Sequence, residues 1–235
     1  VPLAEIAPLI GALQSHQANP AARAVLLLPT VVSPDHWRTG AINFLPDADG
    51  VARRYALYLD VDGWHIPSLP GRLAGDLGYT LPRGEALTLA WRGDRFAHPR
   101  VSYSDLYADL QRQKPRRPAN EFADKIVIIG ATASGLHDLK PSPLHSQHAG
   151  SEILATAIDN LKNQRFMTPV SPWAGWGLAA LATAGLLLAF QRRFNTMHIG
   201  GVLLALSVAL YGMGYFAVTR LVLLPVFSPL LLIWT

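Results

Sequence analysis

The stretch WAGWGLAALATAGLLLAFQRRFNTMHIGGVLLALSVALYGMGYFAV, residues 173–218, decides the architecture. Its only charges are Arg192 and Arg193, and they sit side by side. Between Arg165 and Arg192 lie 26 uncharged residues, and between Arg193 and Arg220 another 26. A helix crosses the hydrocarbon core of a bilayer with about 20 apolar residues. The competing reading is a buried hairpin of a soluble protein. Two successive runs of spanning length, with so few charges between them, favour the membrane. Beyond Arg220 the segment LVLLPVFSPLLLIWT, residues 221–235, reads as a third span that is cut short. Spans are therefore expected over about 173–190, 199–218 and 221–235.

The flanks fit this reading. Trp173 and Trp176 mark one end of the first span, where amphipathic rings favour the interface. Pro169 and Pro172 precede it, where a missing N–H costs a helix little. Gly200, Gly201, Gly212 and Gly214 allow close helix approach in the second span. The short basic link around Arg192 and Arg193 is expected to face the cytoplasm. The first span then runs inward and residues 1–168 lie outside the inner membrane. Residues 169–235 form the membrane unit of a multi-pass protein.

Charge is distributed to match. Of the 20 Lys and Arg residues, 17 lie in residues 1–170 together with all 16 acids, a balance of +1. The remaining three are Arg192, Arg193 and Arg220. The net charge of +4 is thus mostly a topology signal, and with 15% charged residues nucleic acid is not expected as a partner. At 50% hydrophobic residues the chain is not disordered. The absence of Cys excludes a disulfide scaffold and a cysteine-ligated metal. The N-terminal VPLAEIAPLI has neither a basic leader nor a cleavage site, so the chain reads as an internal fragment of an exported protein.

Residues 1–168 mix helix and strand patterns, so an α/β exported domain is expected ahead of an all-α membrane unit. Helical spacing runs over 3–15. AVLLLPTVV, residues 24–32, reads as a buried strand. INFLPDADGVARRYALYL, residues 42–59, reads as a hairpin turning at Asp47-Ala48-Asp49-Gly50. IPSLPGRLAGDLGY reads as a short helix entered through prolines, and ALTLAWRG as a strand. YSDLYADLQRQ reads as a helix with Ser104 as N-cap, followed by a loop through PRRPANEF. KIVIIGA, residues 125–131, carries the strongest buried-strand pattern. A Gly/Ser/His/Pro-rich loop fills 132–150, and Ser151 is expected to cap a helix to Phe166.

This succession resembles the second class of CHASE sensor domains, extracellular sensors associated with cyclases and histidine kinases. The resemblance covers about residues 20–235 and rests on several motifs in order. They are Gly40 with Asn43; Asp47, Asp49, Gly50, Arg53 and Arg54; Gly130-Ala131-Thr132-Ala133; Gly135, Leu136 and Asp138; and Gly150 with Glu152. Two positions depart from the family pattern. Ser142-Pro143 stands where the family has Thr-Pro, and Ala149 stands where it has proline. The resemblance implies a first half upstream of Val1 and a cytoplasmic output domain beyond Thr235. Outputs known in the family are adenylate or diguanylate cyclases, phosphodiesterases and kinases. Homodimerisation is expected from such outputs.

Candidate ligand-binding residues are Asn43, Arg53, Arg54, Thr132, Ser134 and Asp138. Adjacent strand residues point to opposite faces, so one of Arg53 and Arg54 is expected to pair inward while the other meets solvent. Bracing of the fold and contact with an anionic ligand both remain open for them. Gly130 to Gly135 has the spacing of a phosphate loop but lacks its Lys and Ser/Thr, so no nucleotide is expected. His137, His145 and His148 are weak metal candidates without a known ligand spacing, and no metal or cofactor is assigned. Arg112, Lys114, Arg116 and Arg117 make a basic loop, solvated or against lipid headgroups. No catalytic triad or carboxylate pair is evident in this fragment. The expected function is sensory input to a membrane receptor for an unidentified extracytoplasmic ligand. The alternative is a membrane-anchored envelope protein that senses nothing.

Overall fold

Leu3, Ala7 and Ile10 fall on one helical face, and all three are buried. They belong to helix α1, Leu3–Ile10, which Gly11 ends in the left-handed conformation that glycine adopts without strain. The structure is a computed structural model that describes residues 1–25, 27, 33–93, 97–131 and 138–234. It divides into two units, Val1–Gln164 and Arg165–Thr235.

In the first unit α1 is followed by β1, Leu13–Gln14. Next come β2, Arg54–Ala56, β3, Tyr58–Val61, and β4, Trp64–Pro67. Strands β3 and β4 form an antiparallel hairpin through Asp62-Gly63, both at positive φ, the pairing that a two-residue turn demands. β1 adds to the other side of β4. Leu3, Ala7, Ile10, Ala22, Trp64 and Ile66 close a core over this sheet. Helix α2, Leu69–Asp76, is capped by Ser68, whose Oγ accepts from the Gly71 N–H. Residues 40–43 run beside its start. The N–H of Leu69 donates to Ala41 O, and a Cβ on Gly40 would lie 2.6 Å from the Leu69 Cα. Only glycine fits there, which accounts for the first motif position.

The expected hairpin over 42–59 forms only its turn. Asp47 and Val51 close it with one backbone bond, but residues 42–47 join no ladder, and β2 pairs with β5, Ala86–Thr88, instead. Pro46 removes a donor just where a ladder would continue. Helix α3, Tyr103–Leu110, is capped two residues earlier than expected, with Ser102 and not Ser104 accepting from the Asp105 N–H.

One expected strand does not form. Residues 125–131 belong to no strand, with Val127 53% and Ile129 83% exposed. Of the expected strand over 24–32, the described residues Val25 and Leu27 are exposed as well; 26 and 28–32 lie outside the described residues. The reason is pairing. An apolar run becomes a buried strand only if a neighbour satisfies its N–H and C=O groups, and no described strand lies alongside 125–131.

The loop from 138 folds back as a short antiparallel pair, β6, Leu139–Lys140, with β7, His148–Ala149. Helix α4 follows at once, Gly150–Lys162. It begins before Ser151 and ends short of Phe166; Ala149 occupies the N-cap position without a side-chain cap. α4 packs on α2 and buries Ile153, Ala157, Ile158 and Leu161.

The second unit holds β8, Thr168–Pro169, α5, Pro172–Gln191, α6, Thr196–Thr219, β9, Val222–Leu223, and α7, Phe227–Trp234. α5 and α6 are 20 and 24 residues long with mean hydropathies of 1.6 and 1.8 over their best windows, enough to cross a membrane. Only Gly175 and Ala179 of α5, and Ile199, Leu210 and Ala217 of α6, are buried. A soluble protein would bury such helices; here their apolar faces are outward. Asn195 caps α6, its Oδ1 accepting from the Met197 N–H. The stretch expected as a third span opens with β9, and its described helix, α7, is eight residues long. The fold is thus mixed α/β with small sheets and seven helices among the described residues, two of them of membrane length.

Candidate functional site

The turn at Asp47–Gly50 places two carboxylates beside two arginines. Gly50 takes positive φ (80°), and its N–H donates to Asp47 O (2.8 Å). Arg53 grips Asp49 with both terminal nitrogens, at 2.8 and 2.7 Å, and reaches Asp47 at 3.3 Å. Arg54 donates from Nε to Asp47 Oδ1 at 2.8 Å. Both arginines therefore pair with acids, contrary to the expectation that one points away. Arg53 lies just outside β2, so the strand alternation that separates neighbours does not apply to it. The cluster is neutral as a whole, and Asn43 stands exposed apart from it.

The Arg53 hydrogen bond, helped by the Val51 N–H, lowers the Asp49 carboxyl from its ordinary 3.8 to about 2. A folded-state value below the unfolded one means the clamp supports the fold at neutral pH. That support is lost as pH falls from 3.8 through about 2. A carboxyl-carbon NMR titration should accordingly find Asp49 near pH 2, and Arg53→Gln should return it towards 3.8. An unmoved midpoint in the variant would refute the assignment.

The turn is tied to the second half of the unit. Ala52 N–H donates to Pro141 O at 2.7 Å. Tyr55 is buried against Phe44, with ring centroids 5.9 Å apart. Its hydroxyl is pushed up to about 12, first by burial and then by the negative Asp138. Asp138 in turn sits over the start of α4. Gly150 N–H donates to Asp138 O, and a Cβ on Gly150 would fall 2.3 Å from the Asp138 carboxylate. On the other side a Cβ on Gly130 would lie 2.6 Å from the Ser151 Cβ. Gly130, Asp138 and Gly150, far apart in three motifs, thus converge on the first turn of α4. A carboxylate there complements the positive end of the helix. Thr132, Ser134 and His137, with the rest of the phosphate-loop-like spacing, lie outside the described residues.

His148 and His145 are engaged locally. His148 is buried, its Nδ1 2.8 Å from Ser142 Oγ and its ring 4.9 Å from that of Trp91. His145 Nδ1 accepts from the Gln147 N–H. The Ser142 hydroxyl also accepts from the N–H groups of Leu144 and His145, so the Ser142-Pro143 variation preserves a hydroxyl that caps this turn. No set of three metal-ligating side chains gathers among the described residues.

The basic loop curls round a buried acid. Asp109 accepts from the backbone N–H groups of Arg116 and Arg117, at 3.0–3.1 Å. Those bonds, Arg117's first, hold its carboxyl below the usual range. The Arg117 side chain pairs with Glu121.

Sequence reasoning missed the polar stripe of α4. Glu152, Thr156 and Asn160 recur every four residues on its buried side. Glu152 accepts from His98 Nδ1 at 3.1 Å. Asn160, 1% exposed, takes the Ala90 N–H at 2.8 Å and donates to Ala90 O at 3.1 Å, completing the ladder that β5 leaves open. Asp159 meets Arg92 at 2.7 Å. The spacing of three polar residues on an otherwise apolar face is the signal that carries this clamp. Ala90, Arg92 and His98 are thereby held along α4.

A family model described as the CHASE2 domain matches residues 5–189. No curated protein and no solved structure gives a significant match. The family match covers well over half the chain and runs from α1 into α5, and the chain belongs to the CHASE2 family.

Proposed function

We propose, from this membership, that the chain is the sensory input module of a transmembrane signalling receptor. Residues 1–168 meet a stimulus outside the inner membrane, and α5, α6 and a third span over about 221–235 pass it inward. The basic link at Arg192 and Arg193 marks the cytoplasmic side. The receiving output is a cyclase, phosphodiesterase or kinase, working as a homodimer. The observation that carries this reading is the family match itself, since an extracellular sensor family continues without a break into a helix of membrane length. The candidate ligand contacts are Asn43, Arg53, Arg54, Thr132, Ser134 and Asp138.

The intact receptor in lipid nanodiscs tests it by thermal shift against a library of small metabolites. A compound present at 100 times its dissociation constant stabilises by about 2.7 kcal/mol. At least one compound class should raise the melting temperature with dose and change the output activity. Asp138→Ala should shrink both effects. If no compound moves either quantity, and deletion of residues 1–164 leaves the output activity unchanged, the domain is an anchor and not a sensor.

A further inference from the structure

In the second unit an extended segment on each side of the α5–α6 hairpin meets the other. β8 and β9 lie parallel, Thr168 beside Val222 and Pro169 beside Leu223. The N–H of Thr168 donates to Leu221 O at 2.8 Å, and that of Val170 to Leu223 O at 3.0 Å. The next residues wedge between the helices. A Cβ on Gly175 of α5 would lie 2.8 Å from Pro225 O, and one on Gly214 of α6 would touch the Val226 methyls at 3.3 Å. Arg220 closes the end of α6 over the Phe216 ring at 5.0 Å. α7 then packs along α5, with Pro229 fully buried.

We propose that residues 168–170 and 221–226 are a clasp that fastens the start of α5 to the start of α7. A displacement arriving along the chain from residue 165 then moves both helices as one body, not α5 alone. The physical basis is the pairing of open backbone groups. Residues 168–170 and 222–224 follow extended paths, and Leu221 turns into them at positive φ; apart from each other these segments would leave N–H and C=O groups unpaired at the edge of an apolar medium, where each is costly. Two bonds in register satisfy them only while the segments stay together. Gly175 lets the α5 backbone approach the Pro225 carbonyl, and Gly214 makes room for the stiff Val226 side chain, so the contact is close. As a device for transmitting a stimulus the clasp rests on the receptor reading above; as a mechanical joint it does not.

The absence of native cysteine makes the joint directly testable. Spin labels on Gly177→Cys in α5 and Phe227→Cys in α7, in the full chain in nanodiscs, should give one narrow distance distribution. Val170→Pro, which deletes a clasp donor, and Gly175→Leu, which pushes Pro225 away, should each broaden it. Adding Thr168→Cys with Val222→Cys and oxidising should narrow it again in the Gly175→Leu background, since paired strand positions fall within disulfide reach. A second label pair, Phe190→Cys with Met197→Cys at the far end of the hairpin, should stay narrow throughout and so identifies any variant that has unfolded. If both variants unfold, disulfide yield at 168–222 in the otherwise unaltered chain decides: near-complete bridging supports the clasp and none overturns it. A distribution already broad in the parent, or equally narrow in both folded variants, also overturns it. Neither ligand nor output enters the measurement, so its failure would leave the receptor reading standing, and a failed ligand screen would leave the clasp standing.

Discussion

Asn160→Ala should destabilise the first unit by about 3 kcal/mol, because it strands two buried backbone groups at once. Asn160 is 1% exposed and Ala90 6% exposed, so no water reaches the Ala90 N–H and C=O when the amide is gone. A buried donor or acceptor left without a partner costs about 1–3 kcal/mol. In a domain of this size a loss of 3 kcal/mol lowers the melting temperature by roughly 6–12 °C. Trp64 and Trp91 lie in the same unit and report its unfolding by fluorescence. Asn163→Ala is the matched control. Its side chain bonds Asp159 from an exposed position at the end of the same helix, and its removal should cost about 0.5 kcal/mol. Equal losses in the two variants would show that the Ala90 clamp does not hold α4.

Cysteine accessibility gives the second large effect, an all-or-none one. Gln113→Cys in the first unit should react with a membrane-impermeant maleimide in intact spheroplasts. Phe194→Cys, beside the basic link, should react only after the membrane is opened. Leu204→Cys, at the middle of α6, should react in neither case, although Leu204 is 57% exposed in the protein itself. That exposed surface belongs to lipid if the helix spans. Labelling of Leu204→Cys in intact membranes would return α5 and α6 to the soluble-hairpin reading. Labelling of Phe194→Cys from outside would reverse the orientation inferred from Arg192 and Arg193.

How legible the chain is depends on the range of the interactions involved. The two membrane-length helices were readable almost to the residue, expected at 173–190 and 199–218 and found at Pro172–Gln191 and Thr196–Thr219. Their signal is composition over one contiguous run, and caps such as Asn195 are local. Helix α2 was readable for the same reason, from the prolines at its start, while its cap, Ser68, came only with the structure. The segment 125–131 misled because an apolar run states that burial is wanted and says nothing about whether a partner strand is beside it. The doublet Arg53-Arg54 misled because strand alternation was applied one residue beyond the strand. Of the candidate site, Asp47, Asp49, Arg53 and Arg54 do come together; Asp138 joins Tyr55 and Gly150 instead; and Asn43 stays apart.

By itself the sequence determined that this protein carries two membrane-length helices behind a mixed α/β domain, and which family it resembles. Those properties are sums over neighbouring residues: apolar area per helix turn, charge excluded from a run, a motif read in order. Only the tertiary structure decided which polar groups meet. Asn160 reaches Ala90 across 70 residues of chain, and Thr168 meets Val222 across the whole α5–α6 hairpin. A buried or lipid-facing N–H takes whatever acceptor the fold carries to it, and that choice is made in space and leaves no local mark on the chain.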